Sequence, residues 1–232
     1  NGLSKLLHAE WDRRAIRELS TEGGGVRGPE ILECPLLPFV VDFEVGESLR
    51  EAHLPLAALP PNLEFLPADA NALPFPDSSF DVVLSWGSLE HIAGGHAKAF
   101  AEIRRVLRRD GLLFAHPGLY YSDVGQHLGE FEFSHREPYV HLKHSREKLR
   151  EMVLNNVPLR IDRSGDEATP AQYWQWFTEL NPITVAGFES ELRALDFEPW
   201  RVAVRTHDRV DYTPELQPYS FVDLAVGELY VS

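Results

Sequence analysis

The chain has 232 residues, 44% hydrophobic and 25% charged, a globular composition that excludes a disordered, collagen-like or coiled-coil protein. Against 36 Asp and Glu stand 22 Lys and Arg, a net charge of −14 that repels phosphate backbones and anionic lipid and so disfavours nucleic-acid and membrane partners. A lone cysteine, Cys34, allows no internal disulfide and suits a reducing, cytoplasmic setting, and no run of about 18 apolar residues marks a membrane span. The length suits one α/β domain, or one domain with a sizeable insertion. The first residue is Asn1 and no leader pattern comes after it, so the true start is expected upstream.

Residues 3–19 read as an amphipathic helix through Leu3, Leu6, Leu7, Trp11, Ile16 and Leu19, and the glycines at 23–25 and 28 break it. Residues 31–34 form a short apolar run that fits the start of a buried strand. Pro35 and Pro38 interrupt the chain after it, and the β-branched and aromatic stretch 39–45 reads as a strand. A short helix over 48–59 ends at Pro60-Pro61, and 63–66 is a further strand. Residues 80–86 are almost continuously apolar, as in a strand buried on both faces of a parallel sheet. The spacing of Phe100, Ile103, Val106 and Leu107 predicts a helix over 97–109, closed by Gly111 in a left-handed conformation and followed by a strand over 112–115. Strand, helix and strand at this spacing make a βαβ unit. Residues 117–180 lose that rhythm and read as an inserted lid or substrate-binding segment. A helix over 184–195, a strand over 200–205 and a last strand over 221–231 complete the pattern.

Linked motifs run from Asn62: Phe65-Leu66-Pro67-Ala68-Asp69-Ala70, Leu73-Pro74-Phe75, Phe80-Asp81-Val82-Val83, Leu89-Glu90-His91-Ile92, then Glu102 to Gly111. Together they resemble the class I S-adenosylmethionine-dependent methyltransferases, closely over 62–116 and by order of elements over roughly 39–231. The resemblance implies a Rossmann-like α/β fold: a doubly wound, mostly parallel seven-stranded sheet with an antiparallel last strand, forming a single domain over 1–232. It also implies an enzyme that moves a methyl group from S-adenosylmethionine to a small or medium-sized small-molecule acceptor. A catalytically inactive binding or scaffold relative is the alternative, and a protein methyltransferase a second one. By the same resemblance Asp69 accepts from the adenine amino group and the Ala70 N–H donates to the ring, with Leu73 and Phe75 near its face. Ser85, Trp86 and Gly87 would turn backbone carbonyls toward the methionine part, and Leu89 and His91 would wall the cleft. Glu44, with Asp42 as rival, matches the acidic residue that takes both ribose hydroxyls. Asp81 reads as structural.

One part of the family pattern is absent. Glu33 and Cys34 stand where the first strand should enter a glycine-rich turn and helix, but only residues 35–38 separate them from the next strand. Four residues span about 14 Å, whereas a parallel crossover takes roughly a dozen or more. Either a stretch is missing between Cys34 and Phe39 or the protein is a degenerate relative. Glu33 and Glu44, at the expected strand ends on both sides of the gap, favour the first.

Residues 116–144 hold five of the ten histidines: His116, His127, His135, His141 and His144. His127 or His141 would serve as a general base toward the acceptor, with Tyr121, Tyr120, Glu130 and Glu132 shaping the pocket. Taken singly, each histidine reads more readily as a turn-capping or solvent-facing residue. His135, His141 and His144 match no strong zinc spacing, so no metal is expected. Trp174, Trp176 and Phe177 read as helix packing, and Arg104, Arg105, Arg108 and Arg109 as a solvated helix face. The oligomeric state leaves no mark on the sequence.

Overall fold

The computed structural model describes residues 39–41, 64–66, 68–159, 168–207 and 209–232. The expected helices over 3–19 and 48–59, the strand over 31–34, and Glu33, Cys34 and Glu44 lie outside the described residues. The chain divides into two compact units: residues 1–70 with 162–166, and 71–161 with 167–232. In the first, β1 (Phe39–Val41) pairs in parallel with β2 (Glu64–Leu66), Phe39 opposite Glu64 and Val41 opposite Leu66.

The second unit is built on a four-stranded mixed sheet of order β3-β4-β6-β5. β3 (Phe80–Trp86) lies parallel to β4 (Leu107–His116), joined through helix α1 (Ala97–Val106). β6 (Val226–Val231) runs antiparallel to both β4 and β5 (Val202–Thr206), so the expected antiparallel last strand is present. Side chains alternate across these strands. One face of β3 and β4 sends Val83, Leu113 and Ala115 into the main core; the other carries Val82, Leu84 and Leu112, which remain substantially exposed.

α1 forms because Ala99, Phe100, Ile103 and Val106 recur at helical spacing and all bury on one side. Phe100 is fully buried and meets Phe188 edge-on at 5.3 Å, tying α1 to helix α6 (Val185–Ala194). Leu192, Leu229 and Ile183 complete this core. Four helices follow β4: α2 (Glu132–Arg136), α3 (Val140–Lys143), α4 (Arg146–Leu154) and α5 (Pro170–Glu179). They hold a core of their own, with Leu128, Phe131, Val140, Leu149, Val153, Tyr173 and Phe177. Trp174 and Trp176 pack against it, as the helix-packing reading of the aromatic cluster anticipates.

Three sequence expectations are corrected. The helix expected over 97–109 stops at Val106, because Leu107 turns extended (φ −72°, ψ 138°) and pairs with Phe80. β4 then bulges, since the next partners are Val82 and Leu112. Gly111 does not close the helix in a left-handed conformation and is absent from the positive-φ glycines. It permits close packing at the bulge, where a Cβ would meet Leu107 Cδ2 at 2.9 Å and the Asp81 carbonyl at 3.0 Å. The strand expected over 221–231 begins as a helix, α7 (Phe221–Ala225), because the Ser220 hydroxyl accepts from the Val222 and Asp223 N–H groups. Only Val226–Val231 is strand. Among the described residues no helix is long and apolar enough to cross a membrane.

Candidate active site

In open α/β sheets ligands bind outside the carboxyl ends of parallel strands, and the β3–β4 pair has such an end at Trp86 and His116. The alternation that buries Ser85 beside Ala115 sends Trp86 and His116 to the opposite face, where their rings stack at 4.6 Å. Tyr230 of β6 closes on both, at 5.4 Å from Trp86 and 4.5 Å from His116. Burial and a hydrogen bond to Glu228 push its phenol up to about 12, so it stays protonated at neutral pH. Gly87 then takes φ +55°, a conformation that costs glycine little, and its N–H donates to the His116 carbonyl at 2.8 Å. The chain therefore leaves β3 by a sharp turn instead of continuing the strand.

That turn carries Leu89–His91, held from behind by Asn181. The Asn181 side-chain amide donates to the Leu89 carbonyl at 2.8 Å and the Ile92 carbonyl at 2.9 Å, and its backbone N–H to Glu90 O at 2.7 Å. Glu90 is 4% exposed, and its Oε2 accepts the Gly118 N–H at 3.0 Å. A side chain at 118 would collide with that carboxylate, since a Cβ there would overlap Oε1. His91 projects beside it, Nε2 at 3.8 Å from Glu90 Oε1, and its ring centroid is 4.9 Å from that of His127. His127 itself sits at φ +50°, a strained place for a non-glycine residue.

Beyond β4, Tyr120 links two further candidates. Its carbonyl accepts from His141 Nε2 at 2.7 Å, and its ring stands 5.2 Å from that of Tyr121. Burial drives the His141 pKa down to about 4, so at neutral pH the imidazole is uncharged. With Nε2–H engaged, Nδ1 carries the lone pair, buried and without a hydrogen-bond partner. Burial raises the phenols of Tyr120 and Tyr121, which stay protonated as well.

The segment leading into β3 is fixed by charge. Arg105 donates to the Leu73 and Phe75 carbonyls, to Asp77 and to Glu102, while Glu102 Oε2 accepts the Leu73 N–H at 2.8 Å. The Arg105 side-chain hydrogen bond is the chief reason that the Glu102 carboxyl is held below its usual range. Arg104 reaches the Leu195 carbonyl and lies over the Phe197 ring, and Arg108 pairs with Asp81. Arg104 and Arg105 are thus structural ties, which corrects the solvated-face reading for these two, whereas Arg108 stays exposed in its pair with Asp81.

Of the candidate residues, Ser85, Trp86, Gly87 and His91 share the β3 end, and His127 is brought against His91. His141 and Tyr121 meet through Tyr120. Asp69 and Ala70 follow β2 in the first unit, Asp69 exposed and Ala70 half-buried. His135, His141 and His144 do not converge: they engage the Gly129 carbonyl, the Tyr120 carbonyl and Glu137 respectively. Glu90 and Asn181 were not singled out from the sequence. Glu90 stands inside a recognised motif; Asn181 acts across about 90 positions of chain, which no local pattern reveals.

Residues 39–115 match the model of a family described as "Methyltransferase domain". The matched stretch runs from β1 into β4, less than half of the chain, and a methyltransferase domain of this kind indicates S-adenosylmethionine as methyl donor. The described residues suit such a donor at the β3 end, where left-handed Gly87 brings bare backbone to the strand terminus beside the Trp86 ring. No curated protein matches the chain. Similar solved structures include a chain of the complex between the Haloferax volcanii Trm112 methyltransferase activator and a putative methyltransferase (15% identity, 83% of this chain and 69% of that one, TM-score 0.45). Others are a methyltransferase of Thermotoga maritima, described as a possible histamine N-methyltransferase (16%, 84% and 70%, TM-score 0.44), and an S-adenosylmethionine-dependent methyltransferase of Mesorhizobium loti (16%, 83% and 78%, TM-score 0.45).

Proposed function

We propose that the chain methylates a small or medium-sized acceptor in a cleft at the carboxyl ends of β3 and β4. S-adenosylmethionine supplies a methyl group already activated by its sulfonium centre. What remains for the protein is to align the acceptor with that methyl and to exclude water. The observation that carries this reading is the union of His91, at the turn after β3, with His127, at 4.9 Å between ring centroids. It unites a residue on the donor side with one drawn from the segment 117–180.

In this reading Ser85, Trp86 and Gly87 hold the methionine part of the donor, Asp69 and Ala70 the adenine, and Glu44 the ribose, with Glu33 and Cys34 at the turn before it. His91 and His127 form the wall between donor and acceptor. His141 is a positioning residue: neutral, and spent on the Tyr120 carbonyl, it fixes the backbone from which Tyr121 faces the acceptor. The segment 117–180, whose described residues hold a core of their own, acts as the lid within one methyltransferase domain. A net charge of −14 favours a small molecule over nucleic acid as acceptor. The test is a screen of acceptor classes with methyl-labelled S-adenosylmethionine on the full chain. Label transfer to a small acceptor, lost in Trp86→Ala, supports the reading; transfer only to folded proteins or RNA overturns it.

A further inference from the structure

We propose that Glu90, His91 and His127 form a binding site for a first-row divalent transition-metal ion, Zn2+ being the natural probe. One ligand atom from each residue lies within 4.8 Å of the others, and no other three such side chains converge in this way among the described residues. Two imidazoles and one carboxylate are the donor set of Zn2+, Mn2+ and Fe2+; Mg2+ and Ca2+ prefer oxygen alone. His91 Nε2 and Glu90 Oε1 stand 3.8 Å apart, too far for a hydrogen bond. Ligand atoms about 2.0–2.1 Å from a tetrahedral zinc are separated by about 3.3 Å, so small side-chain rotations close the set.

The surroundings hold the carboxylate in place. Gly118 donates to Glu90 Oε2 and, lacking a side chain, leaves Oε1 room to face the imidazoles. Asn181 clasps the turn that carries Glu90 and His91 through three hydrogen bonds. His127 is held at φ +50°, and backbone strain of this kind gathers at ligand clamps. Partners behind the ligands are what tune a metal site. Three protein ligands leave coordination positions open, which would favour an acceptor bearing a hydroxyl or carboxylate oxygen. This use of the ion rests on the methyl-transfer reading; the binding of the ion does not.

The test is titration of Zn2+ into the metal-stripped full chain by calorimetry, with Co2+ absorption as a report on the ligands. One Zn2+ per chain is expected. Its affinity should fall by more than about 100-fold in His91→Ala and in His127→Ala, since losing even a partner behind a ligand costs roughly 10- to 100-fold. Asn181→Ala should weaken it by about 10-fold or more. Glu90→Gln alters a buried group, so circular dichroism accompanies it, and the two histidine variants decide the matter if it unfolds. His135→Ala with His144→Ala should leave binding unchanged. No stoichiometric uptake overturns the proposal, as does uptake kept by the His91→Ala/His127→Ala double variant or lost in the His135→Ala/His144→Ala variant. S-adenosylmethionine binding on the same samples keeps the two readings apart: Zn2+ uptake without donor binding removes only methyl transfer, and donor binding without uptake removes only the ion site.

Discussion

His141 makes stability depend on pH in a direction that the structure dictates. Its imidazole is 7% exposed and its pKa is lowered by burial to about 4, against about 6.5 in an unfolded chain. Between those values the unfolded chain binds more protons than the folded one. Stability therefore falls as pH drops through that window and is insensitive to this group above about pH 7. The full shift corresponds to about 3 kcal/mol, of which about 2 kcal/mol is lost between about pH 7.5 and 5. Urea unfolding of the wild type and His141→Gln at those two pH values reads this directly. Gln keeps an amide N–H for the Tyr120 carbonyl but does not titrate, so other titrating groups cancel in the comparison. The loss of stability from high to low pH should be about 2 kcal/mol smaller in the variant. Equal pH dependence in the two proteins would refute the claim that His141 is buried neutral.

Other perturbations test other parts of the account. Phe100→Ala removes a fully buried ring packed on Phe188 and should cost about 3–5 kcal/mol in denaturant unfolding. Arg105→Met cuts the ties to the Leu73 and Phe75 carbonyls, so hydrogen exchange should quicken at the Leu73 amide while the amides of α6 stay protected. Gly118→Ala drives a Cβ into the Glu90 carboxylate and should destabilise by about 1–3 kcal/mol, with Zn2+ uptake impaired in parallel.

The sequence reading succeeded where one local signal agreed with the tertiary environment. The apolar run at 80–86 is β3 to the residue, but the burial on both faces expected of it is corrected, since Val82 and Leu84 remain exposed on one face of this edge strand of the described sheet. It failed where a distant partner outweighed propensity. The stretch 104–109 favours helix, yet pairing of Leu107 with Phe80 and of Arg108 with Asp81 draws it into the sheet. Local signals also stand where periodicity is weak: Thr169-Pro170 with Gln172 forms a capping box that starts α5, and Ser145 caps α4. His91 and His127 could each be named from motif and composition. Their meeting depends on the left-handed turns at Gly87 and His127, which spacing alone does not encode.

The central claim, that the carboxyl end of β3 holds S-adenosylmethionine for methyl transfer, is tested most directly by calorimetric titration of S-adenosylmethionine into the full chain and into Gly87→Val. A branched side chain cannot adopt the φ of +55° at that turn without strain. The account predicts one donor molecule per wild-type chain and at least about tenfold weaker binding in the variant, a change of about 1.4 kcal/mol. Absence of binding at millimolar S-adenosylmethionine, or equal affinity in the two proteins, would contradict it.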